Sequence, residues 1–468
     1  MAEVATIFGS FSISPTLTTI AKKSVTLQFK NFVVIMKKHI LFAIFIAFAF
    51  TAKSQTPNQN FEKYQHFRNR LKTEMMYVSG DGMEKASYLP MERRYMKNGK
   101  SLGYWADATW WQGHYVSVLA TEYYLKKLRG ESTDSTLHEL RQAITAYNRL
   151  DMNAEHCWYC DTCEDLNGFY LRDDVDDGDI PFLPVDTVDS DYQGCGRKNS
   201  TSNAPSQDQA WASYLGFALT LKLVDDTALC NEVRSIAKRM VKIMQYTDPK
   251  GNEHWQITNP VNGMVIQIEG DIKWLRYAHA TIGTILSGED MHFGRSNKAL
   301  WKSSWNVAQN NVFISKSGNF RWYGIMALSV VMNDDGRGSS NCYDWLIKNC
   351  NKIASMRPDL EQSLIFPHLP LINVVLYGYN GKKAQPKDKY LEYLNSAPEG
   401  GAGTYTENGE VKRTQAPWHT LSLFCPWHNK DVGEFNMLDY MLLYNLYQIV
   451  YELQLPEFKQ FWNQNTNN

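Results

Sequence analysis

Helical periodicity is the feature that most restricts the fold of this chain. Apolar residues recur at the 3.6-residue period of an α-helix in about eleven or twelve segments, and strand-like alternation is not evident. The clearest of these segments are Phe61–Tyr77, Asp107–Leu128, Ser132–Leu150, Ser206–Val224 and Thr227–Tyr246. The pattern therefore predicts an all-α chain and excludes a parallel βαβ fold.

The connections between these helices indicate how they are arranged. Three long loops are rich in Gly, Asp, Asn and Pro: Asp151–Pro205, Thr247–Gly270 and Gly381–Asp431. Loops of this length in a compact chain usually carry function or contain small strands of their own. Successive helical hairpins with long loops at one end predict an (α/α) toroid, formed as a single domain by residues 55–468. A superhelical stack of helix pairs is the alternative, but such stacks keep a fixed repeat period, which is absent here.

The segment from Met36 to Gln55 has the pattern of a secretory signal peptide. A short basic start precedes the apolar run Ile40–Phe50, and Ala52 and Ser54 place small residues before Gln55. We predict that residues 1–35 are a mis-assigned N-terminal extension, that residues 36–54 are the signal peptide, and that the mature chain is secreted or periplasmic. The apolar run is too short to span a bilayer comfortably, so no stable membrane insertion is expected after cleavage. An uncleaved anchor is the alternative.

Composition narrows the choice of partner. The 468 residues include 48 basic and 49 acidic side chains, a balance that argues against nucleic acid as a partner. Aromatic residues make up 13% of the chain, which is enough both to fill a large core and to line a cleft that binds rings or sugars. An oligosaccharide or polysaccharide is therefore the expected partner.

Because export implies an oxidising compartment, the eight cysteines are interpreted first as disulfide candidates. Four of them cluster: Cys157, Cys160, Cys163 and Cys195. The first three have a spacing that resembles an iron–sulfur or zinc site, but a second Cys-x-x-Cys pair is missing. We predict disulfides in which Cys195 closes the loop onto residues 157–163, and neither a metal site nor a cofactor. Outside this cluster, Cys342 is a candidate partner for Cys350, while Cys230 and Cys425 are candidates for unpaired thiols; spacing alone does not fix the pairing.

The clearest local motif is Ser206-Gln207-Asp208-Gln209-Ala210-Trp211-Ala212-Ser213-Tyr214. Ser206 and Gln209 have the spacing of a capping box, which predicts a helix that begins here. Asp208 lies in the first turn, where the helix dipole favours a carboxylate. Asp208 is therefore a candidate catalytic residue, with simple stabilisation of the helix start as the alternative.

This nine-residue stretch is similar to the Ser-x-x-Gln-Ala-Trp-Ala-x-Tyr signature of unsaturated glucuronyl hydrolases and related six-hairpin glycosidases. The resemblance implies an (α/α) toroid that acts on oligosaccharides. By its position in the motif, it also implies that Gln209 and Trp211 line the cavity. The chain departs from the family at Gln207-Asp208, where members place Arg-Gly.

A second motif surrounds Asp107, which has the position of a helix N-cap. Trp110, Trp111 and His114 follow it within two turns, and residues three or four apart share a helix face. A carboxylate, an imidazole and indole rings at a helix start suit sugar binding, so Asp107 is a catalytic candidate and the other three are substrate-binding candidates. The alternative is that the indoles belong to the core and that Asp107 only caps the helix.

A third motif is the acidic run that begins at Arg172. Five aspartates occur between residues 173 and 179, but their spacing does not match an EF-hand, because Val175 and Pro184 occupy ligand positions. A solvated acidic turn is favoured, with a different kind of calcium loop as the alternative. We predict Asp174 as a catalytic candidate and Arg172 as a residue that holds an anionic sugar.

These motifs support one leading function. Glycoside hydrolysis commonly uses two carboxylates, and this chain offers Asp107, Asp174 and Asp208 at junctions between loops and helices. The sequence therefore predicts a secreted glycoside hydrolase. A non-catalytic glycan-binding or scaffold protein on the same fold is the alternative, and a polysaccharide lyase is a further one.

Overall fold

The computed structural model describes residues 57–158, 165–190, 204–247, 253–267, 282–291, 368–376, 387–399, 403–413 and 433–453, apart from short gaps and with a few single residues between these ranges. The chain divides into two compact units, Met1–Pro57 and Asn58–Asn468. The predicted extension and signal peptide lie outside the described residues. Within the described ranges, no helix has the length and apolar character needed to cross a bilayer.

The described part of the chain is rich in helix, as the periodicity predicts. The helices are α1 Pro57–Glu74, α2 Ala108–Leu128, α3 Asp134–Met152, α4 Gln207–Leu223, α5 Thr227–Lys242, α6 Lys387–Ser396 and α7 Leu438–Tyr447. A π-helical turn, Gln448–Glu452, continues α7.

Helices α2 and α4 lie side by side and run in the same direction. Gln209 at the start of α4 bonds Asp107 at the start of α2, and Tyr123 near the end of α2 bonds Asp225 just beyond α4. The helices approach closely at Gly113, where a Cβ would overlap the backbone of α4. Glycine is required at this position because the contact leaves no room for a side chain.

Helix α7 lies on the other side of α2 and also runs in the same direction. Asn445 Nδ2 donates to the Val118 carbonyl in the middle of α2 at 3.2 Å, and Arg129 Nη2 at the end of α2 donates to Gln448 Oε1 at 3.0 Å. Helices α7, α2 and α4 therefore form a layer of three parallel helices that begin at the same end.

The helices that connect this layer run the opposite way. In α3, Ala143 accepts a bond from Gln112 near the start of α2, whereas Glu139 accepts one from Tyr115 further along. Helix α5 follows α4 after a short connection and turns back in the same manner. Each hairpin buries its apolar residues between the two layers, in a core that contains the fully buried Trp105, Trp111 and Trp211.

A small mixed sheet corrects the prediction of an all-α chain. Its strands are β1 Arg93–Lys97, β2 Lys100–Tyr104, β3 Thr187–Asp189, β8 Gly403–Glu407, β9 Glu410–Arg413 and β10 Gly433–Phe435, in the order β3-β2-β1-β10-β8-β9. Strand β3 is parallel to β2, and the other neighbours are antiparallel. Two ribbons add β4 Gln245–Thr247 with β5 Glu253–Trp255, and β6 Ile257–Thr258 with β7 Val265–Gln267.

The sheet lies at the end of the molecule where the parallel helices begin. Strand β2 ends four residues before Ala108, the first residue of α2, and strand β10 ends shortly before Leu438, the first residue of α7. Strands β1 and β2 are joined by Asn98 and Gly99, which have φ angles of 53° and 75°. Two successive positive φ angles are the signature of a type I′ hairpin turn, for which Asn-Gly is a preferred sequence.

Candidate functional site

The candidate site is formed where α2 and α4 begin. Asp107 occupies the N-cap position of α2, as predicted, but its side chain makes no capping hydrogen bond to the helix. Its Oδ1 atom instead lies 3.5 Å from Arg172 Nη1 and 3.2 Å from Gln209 Nε2, and the Asp107 side chain is 34% exposed. Three residues from separate parts of the sequence thus meet at one carboxylate that solvent can reach.

Gln209 is fixed in place by the capping box that the sequence predicts. Ser206 is the N-cap of α4, and its backbone N–H donates to Gln209 Oε1 at 3.3 Å. This bond orients the amide so that Nε2 points toward Asp107. Gln209 itself is completely buried. It is therefore a positioning residue for the carboxylate, held by the start of its own helix.

Arg172 is anchored by both its side chain and its backbone. Its Nε atom donates to the Ala204 carbonyl at 2.8 Å, and its own carbonyl accepts from Thr109 N at 3.1 Å. The guanidinium is 17% exposed and lies beside Asp107. Arg172 is thus held beside Asp107, and its predicted role of holding an anionic sugar stays a prediction.

Trp110 and His114 extend the site along the first turns of α2. His114 Nδ1 donates to the Trp110 carbonyl at 3.0 Å, and the two ring centroids are 5.4 Å apart. His114 is half-buried and Trp110 is 6% exposed. These rings are close enough in sequence to Asp107 to form one wall of a site, but Trp110 exposes only an edge.

Trp111 and Trp211, which the sequence predicts as substrate-binding residues, are buried in the core, as the alternative for the Asp107 motif has it for Trp111. Their exposed fractions are 1% and 0%. Trp211 packs edge-on against Tyr214 with ring centroids 5.7 Å apart, and Trp111 packs against His114. Trp111 supports the His114 ring from beneath, and Trp211 fills the space between helices.

Asp174 does not join Asp107. Its carboxylate is 1% exposed and forms a two-point ion pair with Arg149, at 2.6 Å and 3.2 Å. Arg149 also donates to the Ser87 carbonyl at 2.9 Å. Asp174 thus neutralises a buried guanidinium that ties residues 82–87 to α3.

Asp208 begins α4 with Gln207, but its side chain lies outside the described residues. Its assignment as a catalytic residue stays a prediction.

Three of the other aspartates of the acidic run have local partners. Asp173 Oδ1 accepts from Val175 N at 3.2 Å, while Asp176 and Asp179 form a capping box and pair with Lys85 at 2.8 Å and 3.1 Å. Within the ranges that the structure describes, no group of three or more His, Cys, Asp or Glu could hold a metal ion. The geometry of these aspartates gives no support to the alternative of a calcium-binding loop.

Sequence reasoning did not single out Asp189 at the end of β3. It pairs in register with Tyr104 of β2, three residues before Asp107, and its backbone carbonyl accepts from Trp105 N at 2.8 Å. Its Oδ2 atom accepts from Tyr95 at 3.3 Å. Because β3 lies next to β2, and β2 leads into Asp107, the Asp189 carboxylate is a further acidic candidate. Only a prediction of the sheet would have identified it.

Among the described cysteines, Cys230 is a free thiol. Five of the eight cysteines lie outside the described residues, so the predicted pairing stays a prediction. Glu155 lies just before this cluster and is 2% exposed. Burial raises its pKa to about 7, and the bond from Asn167 Nδ2 to Oε1 at 2.5 Å together with the backbone N–H of Glu155 opposes this rise.

Comparison with known proteins gives no information about this site, so the site is interpreted from its own chemistry. No protein-family model, curated protein or solved structure matches the chain.

Proposed function

We propose that this chain is a secreted carbohydrate-active enzyme, a glycoside hydrolase that acts on oligosaccharides and uses Asp107 as a catalytic carboxylate. The observation that carries the proposal is the Asp107 side chain. It occupies an N-cap position without capping the helix, is one-third exposed, and is oriented by Arg172 and Gln209. A carboxylate that only stabilised the helix would bond the backbone N–H groups of the first turn.

The helix arrangement supports the (α/α) toroid as the scaffold. Three neighbouring helices, α7, α2 and α4, run parallel, and α3 and α5 return in the opposite direction outside them. This alternation is what a ring of helical hairpins requires, since each inner helix must begin at the same end. The exposed carboxylate lies at that common end, where the sheet also lies.

The site fits glycoside chemistry in a definite way. Arg172 and Gln209 hold Asp107 with a cation and a neutral donor, which suits a carboxylate that acts as base or nucleophile in the two-carboxylate mechanism. The second carboxylate would then act as the general acid. Asp208 and Asp189 are the candidates, because Asp174 is committed to Arg149.

The test is an activity screen of the purified mature chain on a panel of oligosaccharides, with the release of reducing ends as the readout. We expect Asp107→Asn to lower turnover by about 10² to 10⁴, the usual contribution of acid–base catalysis. The matched control is Asp225→Asn, which makes the same change at an exposed position near the opposite ends of α2 and α4. Full activity in the folded Asp107→Asn variant would overturn the assignment.

A non-catalytic glycan-binding protein is the second candidate, and one observation favours it. Of the three predicted catalytic carboxylates, only Asp107 has its side chain at the site among the described residues. A protein that binds an oligosaccharide without hydrolysing it, with affinity reduced in Asp107→Asn, would establish this alternative.

A further inference from the structure

A cleft of about 290 Å³ opens at the opposite end of α2 from Asp107. It lies between α1, the last turns of α2 and the end of α7. Its lining residues are Phe61, Tyr64, Gln65, Arg68, Asn69, Lys72, Glu122, Leu125, Lys126, Arg129, Glu131, Tyr444 and Asn445. At 1.5 Å per residue, Arg129 is about 33 Å from Asp107 along the helix, so this cleft is separate from the candidate active site.

The buried carboxylate of the cleft, Glu122, already has partners at both of its oxygens. Glu122 Oε2 accepts from Arg68 Nε at 2.7 Å and from Tyr64 at 2.6 Å. Its Oε1 atom accepts from Thr136 at 2.8 Å and lies 3.1 Å from Lys126 Nζ. Burial alone would raise the pKa of Glu122, but the neighbouring Arg68 and Lys126 hold it far below its usual value. Glu122 is therefore ionised and shared between two cations.

A second carboxylate behind the cleft is shared in the same way. Glu139 pairs with Arg68 at 2.9 Å and also with Lys72. The carboxylates of Glu122 and Glu139 thus pair with three cations, Arg68, Lys72 and Lys126. Lys126 pairs only with Glu122, which it shares with Arg68.

Arg129 forms no ion pair with a carboxylate in the part of the chain that the structure describes, although Glu131 lines the same cleft. Its Nη2 atom donates to the neutral amide oxygen of Gln448 at 3.0 Å. Lys127, the neighbouring cation on α2, differs because it pairs with Asp225 at 2.6 Å and points away from the cleft. The four cations of the cleft, Arg68, Lys72, Lys126 and Arg129, thus exceed by one the carboxylates Glu122, Glu131 and the neighbouring Glu139, and the cleft offers Arg129 and Lys126 to an anion.

An aromatic wall faces these cations. Phe61 is 40% exposed at the mouth, and the Tyr444 ring lies deeper, packed on Tyr64 with centroids 4.9 Å apart. An exposed phenyl ring that lines the same cleft as a guanidinium provides a flat apolar surface for one part of a ligand and an ionic partner for another.

We propose that this cleft is a binding site for a small cyclic carboxylate, whose carboxylate group is held by Arg129 and Lys126 and whose ring rests on Phe61. Arg129 supplies the planar fork of donors that matches a carboxylate. The inference does not depend on the proposed hydrolase activity, because none of the cleft residues belongs to the Asp107 site.

The test uses benzoate as the probe and benzamide as its uncharged match, with binding followed by calorimetry and by the rise in Tm of the full mature chain. We expect benzoate to bind and benzamide to bind at least tenfold more weakly. Arg129→Gln should weaken benzoate at least tenfold. Lys127→Gln removes the same charge from the same helix end outside the cleft, and should leave benzoate binding unchanged.

Two further variants make the outcome decisive. Phe61→Ala, at an exposed position, should weaken benzoate without affecting folding, which keeps the proposal testable if Arg129→Gln is unstable. Asp107→Asn should bind benzoate as the native chain does. No benzoate binding, equal binding of benzamide, or binding lost in Asp107→Asn but kept in Arg129→Gln would each overturn the proposal.

Discussion

The side-chain amide of Gln209 donates to the carboxylate of Asp107 across the interface between α4 and α2, over 3.2 Å. The same amide accepts the backbone N–H of Ser206 through its oxygen. One buried side chain therefore performs two tasks: it completes the start of α4 and it orients the exposed carboxylate of the neighbouring helix.

Replacing Gln209 with Met keeps the side-chain length but removes both bonds. We expect the free energy of unfolding to fall by about 1–3 kcal/mol, since the buried Ser206 N–H loses the Gln209 oxygen as its acceptor. Any hydrolytic activity should fall as well, because Asp107 loses its donor. Urea unfolding followed by far-UV circular dichroism measures the first effect. Lys222→Met, at an exposed position of α4, is the control, and equal stability of the two variants would contradict the prediction.

The close approach of α2 and α4 makes a second prediction, at Gly113. A Cβ atom there would overlap the backbone of Ala212 and Ser213, and backbone atoms of a packed helix cannot move aside cheaply. Gly113→Ala should therefore lower stability by about 1–3 kcal/mol, the usual cost of overpacking. Gly80→Ala is the control, because a Cβ at residue 80 meets no atom within 4 Å. Thermal unfolding of both variants decides the matter: equal Tm values would show that the helices can separate without cost.

The helices were the predictable part of this fold because their signal repeats over many residues. The predicted Asp107–Leu128 and the observed Ala108–Leu128 differ by only the N-cap residue. The predicted Thr227–Tyr246 was too long, since the helix ends at Lys242 and the chain enters strand β4. An apolar residue near a helix end fits a helix and a strand equally well, so the apolar periodicity does not show where the helix ends and the strand begins.

The sheet was missed for a physical reason. Its strands are three to five residues long, too short for an alternating pattern to stand out. The Asn98-Gly99 pair was the available local signal, since this dipeptide favours the turn found between β1 and β2.

The site was predictable in its residue types but not in its distances. Asp107, Arg172 and Gln209 were each identified from the sequence, yet their meeting depends on the packing of α2 against α4. From the sequence alone, Asp174 is as good a catalytic candidate as Asp107. Only its contact with Arg149 in the structure shows that it has a structural role instead.

The Asp174 ion pair makes a third prediction. Asp174→Asn leaves the buried Arg149 guanidinium without a counter-charge, and breaking a buried pair in this way typically costs about 3–5 kcal/mol. The specific activity of the molecules that remain folded should be unchanged. Asp225→Asn removes a carboxylate from an exposed pair with Lys127 and should cost about 1 kcal/mol at most. Chemical unfolding together with activity per folded molecule distinguishes the roles: a stable but inactive Asp174→Asn variant would restore Asp174 as a catalytic residue.

The last prediction concerns the pH dependence of stability near the cysteine cluster. Burial raises the pKa of Glu155 to about 7 from the ordinary 4.5, and it raises the pKa of the neighbouring Asp151 in the same direction. The groups around Glu155 are Asn167, which donates to it, and the carboxylates of Asp151 and Asp165, which favour its protonated form. The folded chain therefore keeps the Glu155 proton at a pH where the unfolded chain has released it.

The sign of the effect follows from this difference. The stability that the proton contributes is complete below about pH 4.5 and is lost as the pH rises to about 7. Glu155→Gln keeps the size of the side chain and cannot titrate, so its Tm should fall less than the native Tm between pH 5 and pH 8. Asp151 still titrates in the variant, so some decline remains. Glu392→Gln, at an exposed position of α6, is the control and should follow the native curve. Parallel curves for the native chain and Glu155→Gln would show that the buried carboxyl does not hold its proton.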